Sequence, residues 1–264
     1  MRTRLTRTRR RPRGVWWAIV FLMLSMALYI RVSVPALRGM QEKAEKKAET
    51  GERVTEEICI EPLTLYMVSF GGYDVMNAAK VEAARYVPRG AAGYVLRREK
   101  LYVIGAGYQA REDAEKACVS LAAGEGLACA VMEAYSPQVV MRMTAGSRQV
   151  SAFAEGEAVF RESAQMMGAL AFSLDRGEAT AAQAKEAVKT QMAKVCAAEE
   201  ELLLQAAGTE NGIFQGLSAL LAQMREQMER MTEEEKAMEL SSRMKYCHID
   251  MTVREIEMLN ALLR

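Results

Sequence analysis

Leu63-Thr64-Leu65-Tyr66-Met67-Val68-Ser69-Phe70, closed by Gly71-Gly72-Tyr73, decides how the rest of the chain is read. Its β-branched and aromatic content predicts a strand, and the glycine pair ends it. Next, Asp74 is placed to cap a helix. On that helix Val75, Met76, Ala79, Ala83, Tyr86 and Val87 recur at helical spacing, and Pro88-Arg89-Gly90 stops it. Gly93 to Leu96 reads as a second strand, Arg97-Arg98-Glu99-Lys100 as a charged connection, and Leu101 to Gly105 as a third strand. Arg111-Glu112-Asp113 opens a second helix with Ala114, Ala117, Cys118 and Leu121 on one face, ended by Gly124-Glu125-Gly126. Leu127 to Met132 is a fourth strand, and Gln138 to Met143 fits a further edge strand. The order is β-α-β-β-α-β, a split β-α-β unit. The expected fold class is therefore α+β, with a ferredoxin-like domain over 62–145. Both helices should lie on one face of an antiparallel sheet, leaving the other face bare.

Toward the N-terminus the chemistry changes. Residues 1–14 hold seven Arg and no acid, although the net charge is only +1, so the rest of the chain is net acidic. A basic tail of this kind argues against a nucleic-acid protein, which would be basic throughout. Val15 to Ile30 carries no charge, and with Val32-Ser33-Val34 beyond Arg31 it reaches the length of about 20 residues that a bilayer requires. Trp16, Trp17 and Tyr29 stand near the two ends, where amphipathic rings prefer the interface. We expect a transmembrane helix over 15–34 in contact with the lipid bilayer. The Arg tail should then be cytoplasmic and the bulk of the chain extracytoplasmic, by the positive-inside rule. A cleaved signal peptide ending near Val34-Pro35-Ala36 is the competing reading and exports the same residues. Residues 35–61, rich in Glu, Lys and Ala, read as a solvated, partly helical stalk.

From 150 to 264 the pattern is helical. Breaks are expected at Gly156, Asp175-Arg176-Gly177, Gly208, Asn211-Gly212 and around Thr232 and Thr252. Val188, Val195 and Leu202 lie seven apart, and Ile213, Leu217, Leu220, Met224, Met228 and Met231 form an i, i+3/i+4 stripe. Thr232-Glu233-Glu234-Glu235 and Thr252-Val253-Arg254-Glu255 both fit a capping box. Four or five such helices would make a bundle or a bent hairpin array. Its Met stripe is either core or a partner-binding face, with ordinary core packing the commoner use of such a stripe.

Little in the sequence suggests catalysis. The only His, His248, lies near the C-terminus, and the five Cys are scattered without a CxxC pair, so no metal site, catalytic set or cofactor is expected. Gly105-Ala106-Gly107-Tyr108-Gln109-Ala110 fits the looser dinucleotide fingerprint but lacks the parallel βαβ context that would give it meaning.

The doubled pattern resembles the SPOR domain, the sporulation-related repeat of bacterial envelope proteins. The resemblance rests on Tyr66 to Tyr73 followed by Asn77-Ala78-Ala79, and on Leu101 to Tyr108 followed by Ala110-Arg111-Glu112-Asp113-Ala114-Glu115-Lys116-Ala117. It implies a non-enzymatic, single-pass membrane protein that binds peptidoglycan glycan strands at division or sporulation septa. It also implies that Met67, Ser69, Tyr102 and Ile104 line the ligand face, with Tyr73 and Tyr108 flanking the turns. Ser69 stands where the family often has Gln, and Ala106-Gly107 where it often has Gly-Pro. Those departures motivate a second expectation: an envelope scaffold whose sheet and helical tail bind protein partners or a second copy.

Overall fold

The computed structural model describes residues 53–207 and 211–263; the basic tail, the apolar span, the stalk up to residue 52 and Gly208 lie outside them. Four strands build the central sheet: β2 (Leu63–Tyr73), β3 (Tyr94–Arg97), β4 (Leu101–Tyr108) and β5 (Ala130–Ser136). They lie in the order β3-β4-β2-β5, antiparallel throughout. β2 and β3 are thus parallel with β4 between them, and β4 and β5 parallel with β2 between them, so each β-α-β half is split by a strand of the other. Helix α1 (Met76–Tyr86) and helix α2 (Arg111–Glu125) make the crossovers. α1 packs Ala79 and Ala83 on Leu101, Val103, Phe70 and Tyr73. Val75, not Asp74, is its N-cap residue; Asp74 instead forms an exposed ion pair with Lys100 at 3.6 Å.

The stalk reading needs correction at its end. Arg53–Ile60 is a strand, β1, paired in antiparallel register with β6 (Val139–Gly146), from Arg53 opposite Gly146 to Ile60 opposite Val139. Val54, Ile58 and Ile60 alternate on one face, as a half-buried strand requires, while Glu56 and Glu57 stay in water. β6 is therefore not an edge of the central sheet. The β1–β6 ribbon packs Ile60, Val139 and Met143 into the helical core.

Four helices follow: α3 (Ser147–Asp175), α4 (Ala181–Ala206), α5 (Gly212–Thr232) and α6 (Ala237–Leu262). Short connections fold each back on its predecessor. Thr180 caps α4 in a capping box with Gln183, and the Asn211 carboxamide oxygen accepts from Ile213 N at 3.0 Å to cap α5. Two expected breaks are absent, and the break around Thr232 is present without its expected cap. Gly156 lies inside α3, where its bare Cα faces Leu217 and Leu221. Thr252 lies inside α6, and Thr232 ends α5 instead of capping the next helix, its hydroxyl donating to Glu229 O. Val188, Val195 and Leu202 meet Leu217, Met224, Met228 and Met231 in one buried cluster, so the stripe is spent on core packing. Among the described residues no helix is long and apolar enough to cross a membrane. The described α/β and helical elements fall within one compact unit.

Candidate functional site

Helix α6 lies across the face of the sheet opposite α1 and α2. Ile249, Val253 and Ile256 pack on Leu65, Met67, Leu96, Ile104 and Ala134, with Tyr102 at the margin of the same cluster. The sequence reading placed Met67, Ser69, Tyr102 and Ile104 together on one face; Met67, Tyr102 and Ile104 share this cluster, and Ser69 stands opposite Ile104 across the strand pair. That face is not bare, which corrects the expectation of an open sheet. Its alternating Leu65, Met67 and Ile104 form an apolar surface, and the apolar stripe of α6 supplies the cover.

The six candidate residues are thus placed as follows. Met67 and Ile104 are fully buried under α6. Ser69 is buried, and its hydroxyl accepts from Gly71 N at 3.4 Å. Tyr102 is half-buried. Tyr73 packs against α1 on the opposite face, where burial first and then the nearby Glu82 raise its phenol pKa. Tyr108 stacks on Phe172 of α3, ring centroids 4.9 Å apart, and burial pushes its pKa up to about 12. Glycan would reach Met67 and Ile104 only after α6 had left the sheet.

Buried polar contacts hold α6 in place. Lys245 donates to Gly90 O at 2.6 Å and pairs with Asp175 of α3 at 2.5 Å, and the Ser241 hydroxyl donates to the same carboxylate. The His248 ring meets Ala164 O through Nδ1 at 2.8 Å; burial lowers its pKa, so it is held neutral. Arg161 of α3 contacts Glu255 at 2.7 Å and Glu157 at 3.1 Å, and donates to Glu61 O just ahead of β2. One guanidinium thus serves two carboxylates. Burial, only partly offset by Arg161, pushes Glu255 up to about 7 and raises Glu157 as well.

A concavity lies elsewhere, between the turn at residues 87–93, α5 and α6. It is a cleft of about 710 Å³ bordered by Gln223, Gln227, Tyr246, Asp250 and Arg254, with Glu226, Arg230, Glu239 and Arg243 also on its lining. Asp250 is buried, accepting from Gln227 Nε2 at 2.8 Å and from Arg254 Nε at 2.9 Å. Tyr94 of β3 meets Tyr246 edge-on at 5.4 Å. Burial, followed by the charge of Asp250, raises the pKa of both phenols. The cleft residues escaped the sequence reading. Gln223 and Gln227 directly precede Met224 and Met228 of the apolar stripe, which was the available signal, but a polar residue beside such a stripe normally faces water.

Among the described residues no three His, Cys, Asp or Glu side chains converge to hold a metal ion. No family model matches the sequence, and neither the search of curated proteins nor that of solved structures returns a match.

Proposed function

We propose that this chain is a non-enzymatic, membrane-anchored scaffold of the bacterial envelope, built on a SPOR-type unit whose ligand face is closed by the chain's own C-terminal helix. The anchor is the apolar span at 15–34, with the Arg tail in the cytoplasm. The observation that carries the reading is the burial of Met67 and Ile104 beneath Ile249, Val253 and Ile256. A sheet that grips a glycan needs hydroxyls, amides and ring faces in reach of solvent. Here the corresponding surface is apolar and filled. The departures at Ser69 and Ala106-Gly107 point the same way.

The test is sedimentation of the full chain, in detergent, with sacculi stripped of stem peptides by amidase. The scaffold reading expects no more protein in the pellet than with untreated sacculi. Enrichment on the stripped wall would overturn it and favour a glycan-binding protein at septa.

A further inference from the structure

We propose that Cys118 of α2 and Cys129, the residue before β5, form a dithiol site that a small uncharged disulfide oxidises to an internal disulfide. The bond would staple the C-terminal half of α2 to β5, the edge strand of the central sheet. The other cysteines lie on other elements: Cys59 on β1, Cys196 on α4 and Cys247 on α6.

The path of the chain brings the two residues side by side. After Cys118 the helix runs on to Glu125, about 10 Å further along its axis. Gly126 then takes a left-handed conformation, φ 65°, and reverses the chain. Its N–H donates to Ala122 O at 3.2 Å, and the N–H of Leu127 donates to Leu121 O at 3.4 Å. Leu127 is thereby fastened beside Leu121, which stands about 4.5 Å beyond Cys118 along the axis. A two-residue step of extended chain, about 7 Å, carries Cys129 back to the turn that holds Cys118. β5 then packs against α2. The thiols act on one another. Burial raises both; Cys129 partly offsets the rise at Cys118, and the charge of Cys118 adds to the rise at Cys129.

The chemistry is thiol–disulfide exchange in two steps. The Cys118 thiolate attacks one sulfur of the reagent, whose S–S bond breaks, and a mixed disulfide forms as one reagent thiolate leaves. The Cys129 thiolate then attacks the Cys118 sulfur and displaces the second reagent thiolate. The protein gives up two electrons and two thiol protons; the reagent takes both and departs as two thiols. Both cysteines are half-buried, so a small reagent can reach them. Glu115 near Cys118 and Glu125 near Cys129 add negative charge, which disfavours anionic disulfides. Burial keeps little of Cys129 ionised, and the closeness of the mixed disulfide offsets that scarcity.

The experiment equilibrates the full chain, in detergent at pH 8, with a buffer of bis(2-hydroxyethyl) disulfide and its thiol, then quenches with N-ethylmaleimide. Trypsin releases residues 117–142 as one peptide carrying both thiols, because no Lys or Arg lies between its ends. Mass spectrometry should find that peptide lighter by two hydrogens and free of maleimide. The ratio of internal disulfide to dithiol should be about tenfold higher in the native chain than in concentrated urea, since the fold holds the pair together. The oxidised chain should accordingly melt roughly 3–5 °C above the reduced one, the thermal counterpart of a tenfold preference. Cys129→Ser should stop at the first step and accumulate the reagent adduct on Cys118. An equal or lower ratio in the native chain than in urea, adducts on the parent chain without closure, or a lowered melting temperature would each sink the proposal. No cell wall enters this assay, so its failure leaves the scaffold reading standing, and the sacculus assay leaves this site untouched.

Discussion

A Cβ at Gly168 would stand 3.1 Å from the His248 ring, and one at Gly107 would stand 3.0 Å from Ile249 and from Leu65. These two glycines, one on α3 and one on β4, let α6 approach both surfaces at once. Gly168→Ala should therefore cost about 1–3 kcal/mol through overpacking, although alanine is the better helix former. Urea unfolding followed by circular dichroism reads the loss, and an unchanged or raised midpoint would contradict the tight contact. The thiols offer a second check at this scale. Cys59 is exposed and Cys247 buried. The Cys129 thiol donates to Leu127 O at 3.6 Å, and burial raises both Cys118 and Cys129, the latter up to about 11. At pH 8 only about a thousandth of Cys129 would be thiolate. Iodoacetamide followed by mass spectrometry should find Cys59 alkylated first, Cys129 far more slowly, and Cys247 only on unfolding. Early modification of Cys247 would mean that α6 opens readily.

Helix α6 is the element on which the molecule depends, because it is covered by α3 on one side and covers the sheet on the other. Ile249→Ala should destabilise by about 2–5 kcal/mol, the cost of a cavity in a packed core. A stop codon after Lys236 should abolish cooperative unfolding and expose the sheet to a hydrophobic dye. A truncated chain that still melts sharply would show that the α/β unit stands without α6. The local order of elements was legible, since each strand and helix announces itself within about ten residues. Leu63 to Phe70 and the Ala79/Ala83 face follow from spacing alone, whereas Gly71 and Gly72 do not end the strand: it runs on through a bulge to pair Tyr73 with Leu101. What covers the sheet was not legible. Ile249, Val253 and Ile256 show a helical stripe but nothing about which surface, some 180 residues earlier in Met67, completes it. Pairing of Arg53–Ile60 with Val139–Gly146 is equally non-local, and the Glu-rich context hid the alternation of Val54, Ile58 and Ile60. The cleft is less legible still, because it exists only where α5, α6 and the 87–93 turn meet.

For the molecule as a whole, two buried groups on α6 give opposite pH dependences, and their sum shapes the stability profile. His248 is depressed in the fold, so the unfolded chain binds the extra proton as pH drops through about 6.5. That stability is present above 6.5 and lost below it. Glu255 runs the other way. Its folded pKa of about 7 exceeds the unfolded carboxylate value near 4.3, so the folded state holds the extra proton between them. Its stabilising share is complete in acid and disappears as pH rises through about 7. Glu157, raised by burial beside the same Arg161, adds to this trend. Comparison of Glu255→Gln with the unaltered chain isolates the term, since other groups cancel in the difference. The amide mimics the protonated acid and still accepts from Arg161. The two proteins should therefore unfold alike below about pH 4, with the variant more stable by about 3 kcal/mol at pH 8. Denaturant midpoints at both pH values decide it. A variant weaker than the parent at pH 8 would mean that the ionised carboxylate, fully compensated by Arg161, is what holds α3, α6 and the start of β2 together.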